Sequence, residues 1–402
     1  MNKKGYFDYN ATTPMCCEAT QAFHQAVDDF GNPSSKYGLA KSSRGRLKLA
    51  RLSVARLLGA DSSEVFFTSG GTESNNWAIK GTLIARGACG EAAAPAHVVI
   101  SEIEHSSVLE VAAFLERVFG CEVSRLKPDS EGRISTAAVL AALRPNTQLV
   151  SIMLVNNEVG TMQPVEKIAP ALRARGIHFH VDAVQAVGKV PVDVRQLGVD
   201  TLAFAAHKFY GPKGVGGLYI RQGIAIEPLI HGGGQEKGLR GGTEAVTTIS
   251  AMGAAAEASY ARLPEQILKL TEYRELLRAR LLEQVHGIAF NGPVNRNEQA
   301  PNTLSVRVDG IRAEALAAML DNMHGIQVSL GSACSNNKSI TMSHVLQAMG
   351  LSEAQIKATL RISIGQYTDE AGVDSFVRAM ADGVRLLQRI GSGERRSDGI
   401  AA

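Results

Sequence analysis

Hydrophobic positions along the chain switch repeatedly between two periods. Leu47, Ala50, Val54, Leu57 and Leu58 recur at helical spacing, with Gly59 behind them as a stop signal. Val65-Phe66-Phe67 is a short apolar run that reads as a strand, and it enters Ser69-Gly70-Gly71 before a helix expected over Glu73–Arg86. The same alternation predicts a strand at His97–Ser101, a helix at Ser106–Phe119, a strand near Cys121–Arg125 and an apolar strand over Leu149–Val155. A helix over Val165–Arg175 and strands at His178–Asp182, Thr201–Ala205 and Gly217–Ile220 follow. Short, fully apolar strands between helices predict an α/β fold whose mostly parallel sheet is covered on both faces. A long helical stretch occupies Ile249–Gln284. Beyond Gly292, strands at Thr303–Val308 and Arg361–Ile364, with helices between, read as a second, smaller α+β domain.

Composition narrows the classes of function. The chain has 402 residues, is 45% hydrophobic and 20% charged, and carries a formal net charge of +3. That charge is too small to suggest nucleic acid or an anionic membrane as the main partner. No apolar run approaches the roughly 20 residues that span a bilayer, and the first eight residues lack the apolar core of a signal peptide, so a cytoplasmic address is expected. The five cysteines, Cys16, Cys17, Cys89, Cys121 and Cys334, show no metal-ligand spacing and read as reduced thiols.

Polar residues that fit no core pattern collect in the loops after the strands, where open α/β sheets bind ligands. Gly70, Gly71 and Thr72 open a helix, so backbone N–H groups and a hydroxyl could cradle a phosphate; a Gly-rich turn capped by Thr72 is an equal reading. Asp182 ends an apolar strand, and a buried acid needs a cation opposite it, such as a pyridinium nitrogen, with Gln185 near a phenolic oxygen; a helix N-cap is the competing reading. Lys208 follows the strand Thr201–Ala205 and is a candidate Schiff-base amine, with His207 within reach of a phosphate, although most lysines in loops are merely exposed. His105 could stack on a planar ring and shuttle protons, or lie on the surface before a helix. Asn156-Asn157-Glu158-Val159-Gly160 alone reads as a solvated turn. Cys334 is flanked by Gly, Ser and Asn rather than by core residues, and Ser335–Thr341 reads as a polar loop suited to a thiol that meets two partners.

In combination these segments resemble one family. Tyr9-Asn10-Ala11-Thr12-Thr13-Pro14, Gly31-Asn32-Pro33-Ser34-Ser35, Thr68-Ser69-Gly70-Gly71-Thr72-Glu73-Ser74-Asn75, Glu104-His105, Val155-Asn156-Asn157-Glu158-Val159-Gly160, His180-Val181-Asp182-Ala183-Val184-Gln185, Ala206-His207-Lys208, His231-Gly232-Gly233-Gly234-Gln235-Glu236, Arg240-Gly241-Gly242-Thr243 and Gly331-Ser332-Ala333-Cys334 are similar to the pyridoxal-5′-phosphate (PLP)-dependent cysteine desulfurases, long-loop subgroup, within the class V aminotransferase-like enzymes of fold type I. The likeness runs from about Tyr6 to Asp374. It implies a mostly parallel seven-stranded sheet in a large PLP-binding domain over 13–262. Segments 1–12 and 263–402 would form the small domain with the catalytic Cys334 loop.

By the same resemblance, Lys208 carries the cofactor, Asp182 pairs with its ring nitrogen, Gln185 binds its phenolic oxygen and His105 stacks over it. Gly71, Thr72 and His207 bind its phosphate, and Thr243 reaches the phosphate of the other subunit in a homodimer. Asn157, beside the cofactor, and Arg361 hold the carboxylate of L-cysteine. Cys334 receives the sulfur as a persulfide, for delivery to an acceptor protein in iron–sulfur cluster assembly, tRNA or DNA thiolation or biosynthesis. Two departures stand out: Ala205 occupies a position that is often serine, and the loop after Cys334 is one residue longer than usual. Selenocysteine lyase, another class V aminotransferase-like activity and a silent sulfur-transfer scaffold are the competing readings.

Overall fold

The computed structural model describes residues 5–88, 95–330, 332–334 and 340–391. Cys89 and the loop residues 335–339 lie outside them. Seven strands form the main sheet: β1 (Val65–Thr68), β2 (His97–Ser101), β3 (Glu122–Leu126), β4 (Thr147–Ser151), β5 (His178–Asp182), β6 (Thr201–Ala205) and β7 (Gly216–Ile220). They lie in the order β1-β7-β6-β5-β4-β2-β3. Strands β3, β2, β4, β5 and β6 pair in parallel, and β7 runs antiparallel between β6 and β1. Strands β1, β2, β5, β6 and β7 are buried at every position, so they lack the polar-out alternation of a half-exposed strand, and the polar residues they carry, such as His178, His180 and Asp182 in β5, are buried too.

Helices cover the sheet. Those used below are α1 (Cys17–Val27), α2 (Ala40–Leu58), α3 (Gly71–Ala85), α4 (Ser106–Phe119), α5 (Thr136–Ala142), α6 (Val165–Arg173), the short α7 (Val194–Leu197) and α8 (Val246–Gln284). A second sheet, wholly antiparallel, has the order β10-β13-β9-β8, built from β8 (Ile288–Asn291), β9 (Thr303–Val308), β10 (Ser329–Leu330) and β13 (Thr359–Ser363). Between β10 and β13 the chain forms a hairpin of β11 (Ser332–Cys334) and β12 (Ile340–Met342), then helix α9 (His344–Ala348). Phe7, Leu277, Val306, Ile362 and Phe376 share one core under the small sheet, whereas Val345, Leu346 and Ile356 join the core of the large one.

Several boundaries differ from the sequence reading. The strand expected over Leu149–Val155 stops at Ser151. Beyond it, Ile152 and Leu154 donate to the carbonyls of His180 and Asp182, but the Met153 N–H is taken by the Glu104 carboxyl, so the ladder is broken on one side. Helix α3 starts at Gly71, with Gly70 as N-cap, so Thr72 lies inside the first turn and does not cap it. Ile340 and Thr341, expected in a loop, pair with Cys334 and Ala333 in the hairpin. Helices α1, α5 and α7 were not anticipated.

Candidate active site

One cavity of about 310 Å³ opens at the carboxyl ends of β5 and β6 and the start of α3. Its lining includes Gly71, Thr72, His105, Asn157, Asp182, Gln185, His207, Lys208 and Arg361, residues that the chain supplies from six separate segments. Thr243 is exposed and lies outside this lining. Cys334 sits on β11 of the hairpin.

Each side chain is held by local chemistry. Asp182 leaves the end of β5 and accepts from the Val184 N–H at 2.9 Å and from Asn75 Nδ2 at 2.8 Å. Asn75 is itself fixed by His180, whose Nε2 lies 3.0 Å from Asn75 Oδ1 and whose Nδ1 meets the Thr201 hydroxyl at 2.9 Å. Burial pushes the His180 imidazole down to about 3, so it serves as a neutral strut. Sequence reasoning missed Asn75 and His180 as supports, because the Asn75–Asp182 pair is 107 residues apart in the chain.

Lys208 follows β6 in a single 3-10 turn, and its Nζ donates to the carbonyls of Asn10 at 2.5 Å and Ala11 at 2.8 Å. Burial, with Arg361 nearby, lowers its pKa from the usual lysine value to about 8, so a usable fraction is free amine near neutral pH. His207 is pulled to about 4 by burial and by the surrounding lysines, and its Nδ1 lies 3.1 Å from Thr12 Oγ1. It would therefore meet a phosphate as a neutral hydrogen-bonding ring. His105 caps α4, with Nδ1 accepting from the Ser107 N–H at 3.1 Å, so the neutral ring carries its hydrogen on Nε2. Its ring is open to the cavity by surface area yet walled by protein on most sides, and burial lowers its pKa.

Arg361 donates to Asp8 Oδ1 at 2.7 Å and to the Asn157 carbonyl at 3.2 Å, while its buried Nε has no partner. Asp8 was another residue the sequence did not single out. Asn157 belongs to a turn in which Asn156 Oδ1 accepts from the Glu158 and Val159 N–H groups. Glu158 in turn accepts from the Ser343 hydroxyl at 2.5 Å, and His344 Nε2 donates to the Glu104 carbonyl at 2.9 Å. These two bonds fasten the end of the Cys334 hairpin to the cavity wall.

The arrangement fits a pyridoxal phosphate. A Cβ on Gly71 would lie 2.6 Å from Val184 Cγ2, so only glycine lets the N-terminus of α3 come this close to the Asp182 turn. A phosphate would meet the free N–H groups of α3, the Thr72 hydroxyl and His207, while Asp182 suits a protonated ring nitrogen and Lys208 a Schiff base. Ala205, also in the lining, offers a methyl group and no hydrogen bond to a ligand there.

Fold and cavity together define an α/β PLP enzyme of fold type I. The chain belongs to the aminotransferase class-V family, whose model matches residues 5–376. It is similar to a cysteine desulfurase IscS from Dictyoglomus turgidum, 42% identical over 92% of this chain and 91% of the relative. Among solved structures it resembles a NifS-like protein, with a TM-score of 0.87 and 37% identity over 95% of this chain and 99% of that one. It also resembles SspA in complex with cysteine, with a TM-score of 0.78 and 38% identity over 91% and 100% of the two chains. No helix among the described residues is long and apolar enough to cross a membrane.

Proposed function

We propose that the chain is a cysteine desulfurase, converting L-cysteine and its own Cys334 thiol into L-alanine and a Cys334 persulfide. The observation that carries this reading is the convergence of Lys208, Asp182, His105, Asn157 and Arg361 on one cavity, in a chain whose relatives are cysteine desulfurases. When bound, the cofactor supplies an electron sink at the substrate α-carbon. Arg361 and Asn157, which both line the cavity, hold the substrate carboxylate. The Lys208 amine takes the α-proton. His105, hydrogen on Nε2, moves a proton at the reacting sulfur or β-carbon. The Cys334 thiolate attacks the substrate sulfur: an S–S bond forms, the C–S bond breaks, and its electron pair ends as a C–H bond of alanine.

Four further parts belong to the proposal. The chain divides into a large domain over 13–262 and a small one over 1–12 and 263–402. It works as a homodimer with Thr243 reaching the partner's phosphate site. The exposed apolar residues Phe30, Tyr37, Leu39 and Leu49 around the Gly31–Ser35 turn support a covered surface there. A cytoplasmic location and a sulfur-acceptor protein complete it.

The test is mass spectrometry of the holoenzyme after exposure to L-cysteine. One added sulfur atom is expected on the peptide containing Cys334, and Cys334→Ser should bind cysteine without releasing alanine. Sulfur on Cys16, Cys17, Cys89 or Cys121 instead, with alanine production retained in Cys334→Ser, would overturn the assignment.

A further inference from the structure

Lys189 lies beneath the floor of the cavity, 4% exposed, and the proposed chemistry makes no use of it. Its Nζ donates to Gln185 Oε1 at 2.6 Å and to Asn10 Oδ1 at 3.0 Å. Gln185 Nε2 donates to the Asn10 carbonyl at 2.9 Å, the same oxygen that receives the Lys208 amine. Asn10 is locked in turn: its Nδ2 donates to Thr303 Oγ1 at 2.8 Å and to the Asn157 carbonyl at 3.1 Å, and its Oδ1 also accepts from Asn302 Nδ2 at 2.9 Å.

The orientation of the Gln185 amide follows from these partners. An amide has one accepting end and one donating end, and only its neighbours tell the two apart. An amine flanked by two oxygens donates to both, and a backbone carbonyl can only accept. Gln185 therefore turns its oxygen down to Lys189 and its nitrogen toward Asn10. Since Gln185 lines the cavity, the second N–H of that nitrogen is the hydrogen-bonding group left for a ligand. Burial, with Lys208 and Arg361 nearby, holds the Lys189 amine well below the usual lysine value.

We infer that Lys189 is a positioning residue: by anchoring the Gln185 oxygen it presents an amide N–H, and never the amide oxygen, to the ring oxygen of the cofactor. This rests on the reading that Gln185 faces that oxygen. With Lys189 removed, the buried Gln185 oxygen loses its donor, and the single bond to the Asn10 carbonyl is left to hold the amide against turning. A donor at this place favours the ionised ring oxygen; an acceptor would favour its neutral form.

The experiment compares the holoprotein with Lys189→Met, Gln185→Ala and the double variant. It reads the absorbance ratio of the long-wavelength band of the ionised ring oxygen to the short-wavelength band of the neutral form. Each single substitution should lower the ratio by about ten-fold, the loss expected for one hydrogen bond to a charged oxygen, and the double variant should lower it no further. An unchanged ratio in Gln185→Ala would overturn the underlying placement of the amide. A lowered ratio in Gln185→Ala with none in Lys189→Met, or losses that add in the double variant, would overturn the positioning role and leave the placement standing. Lys189→Gln keeps an N–H donor and serves if the Met variant does not fold. Its ratio should stay above that of Gln185→Ala, and a ratio equal to it would overturn the inference.

Discussion

Glu104 is wholly buried beside the cavity, where its Oε1 accepts from the Ser101 hydroxyl at 2.5 Å and the Met153 N–H at 2.9 Å. Its Oε2 has no partner. Burial, against the pull of those two donors, raises the carboxyl to about 8, so it stays protonated at neutral pH in the folded chain. The unfolded carboxyl ionises near 4.5. Stability from this group is thus full below that pH and is lost as pH rises toward 8, a change of roughly 4 kcal/mol. Glu104→Gln keeps the shape and cannot ionise. It should be more stable than the parent at pH 8 and close to it at pH 5, measured as the shift in urea midpoint at the two values. An equal shift at both would show that the carboxyl is not held neutral. The glutamate before His105 is visible in the sequence, but its protonation is not, since that depends on the depth of burial.

At the scale of elements, helices α2 and α8 cross where Gly253 meets Ala50. A Cβ on Gly253 would lie 2.4 Å from Ala50 Cα and 2.6 Å from its Cβ, and backbone on both sides leaves no flexible side chain to yield. Gly253→Ala should therefore force the helices apart and cost about 1–3 kcal/mol, the usual penalty of overpacking. Thermal unfolding checks it, and an unchanged melting temperature would show that the crossing gives way freely. The helical period of both segments was legible in the sequence, because each buries one face. Their crossing point was not, since a glycine inside a helix gives no sign of which partner approaches it. The same division holds for the strand expected over Leu149–Val155: its apolar character was legible, but its end was set by the Glu104 carboxyl arriving from another loop.

For the whole molecule, the proposal that two chains complete each site has a direct consequence. Thr243 lies on the surface of one chain, outside the cavity that Thr72 and His207 line. Sedimentation should show a dimer at micromolar concentration, and Thr243→Ala should weaken cofactor retention during dialysis by roughly ten-fold or more, the value of one hydrogen bond to a charged group. A fully active monomer, or unaltered retention in the variant, would remove the shared site.

The sequence by itself determined the alternation of elements, the class of fold and the polar residues placed just beyond buried strands. A short apolar run between helices has few places to lie except inside a covered sheet, and Asp182 and Lys208 fall at the ends of two such runs. Only the tertiary structure decided what each of these groups rests on. Asn10 and Lys189 are 179 residues apart, and Arg361 and Asp8 are 353 apart, and each pair meets at hydrogen-bonding distance. Such contacts leave no periodic trace. They arise when the N-terminal segment packs over the end of the large sheet, where the Asn10 and Ala11 carbonyls receive the Lys208 amine.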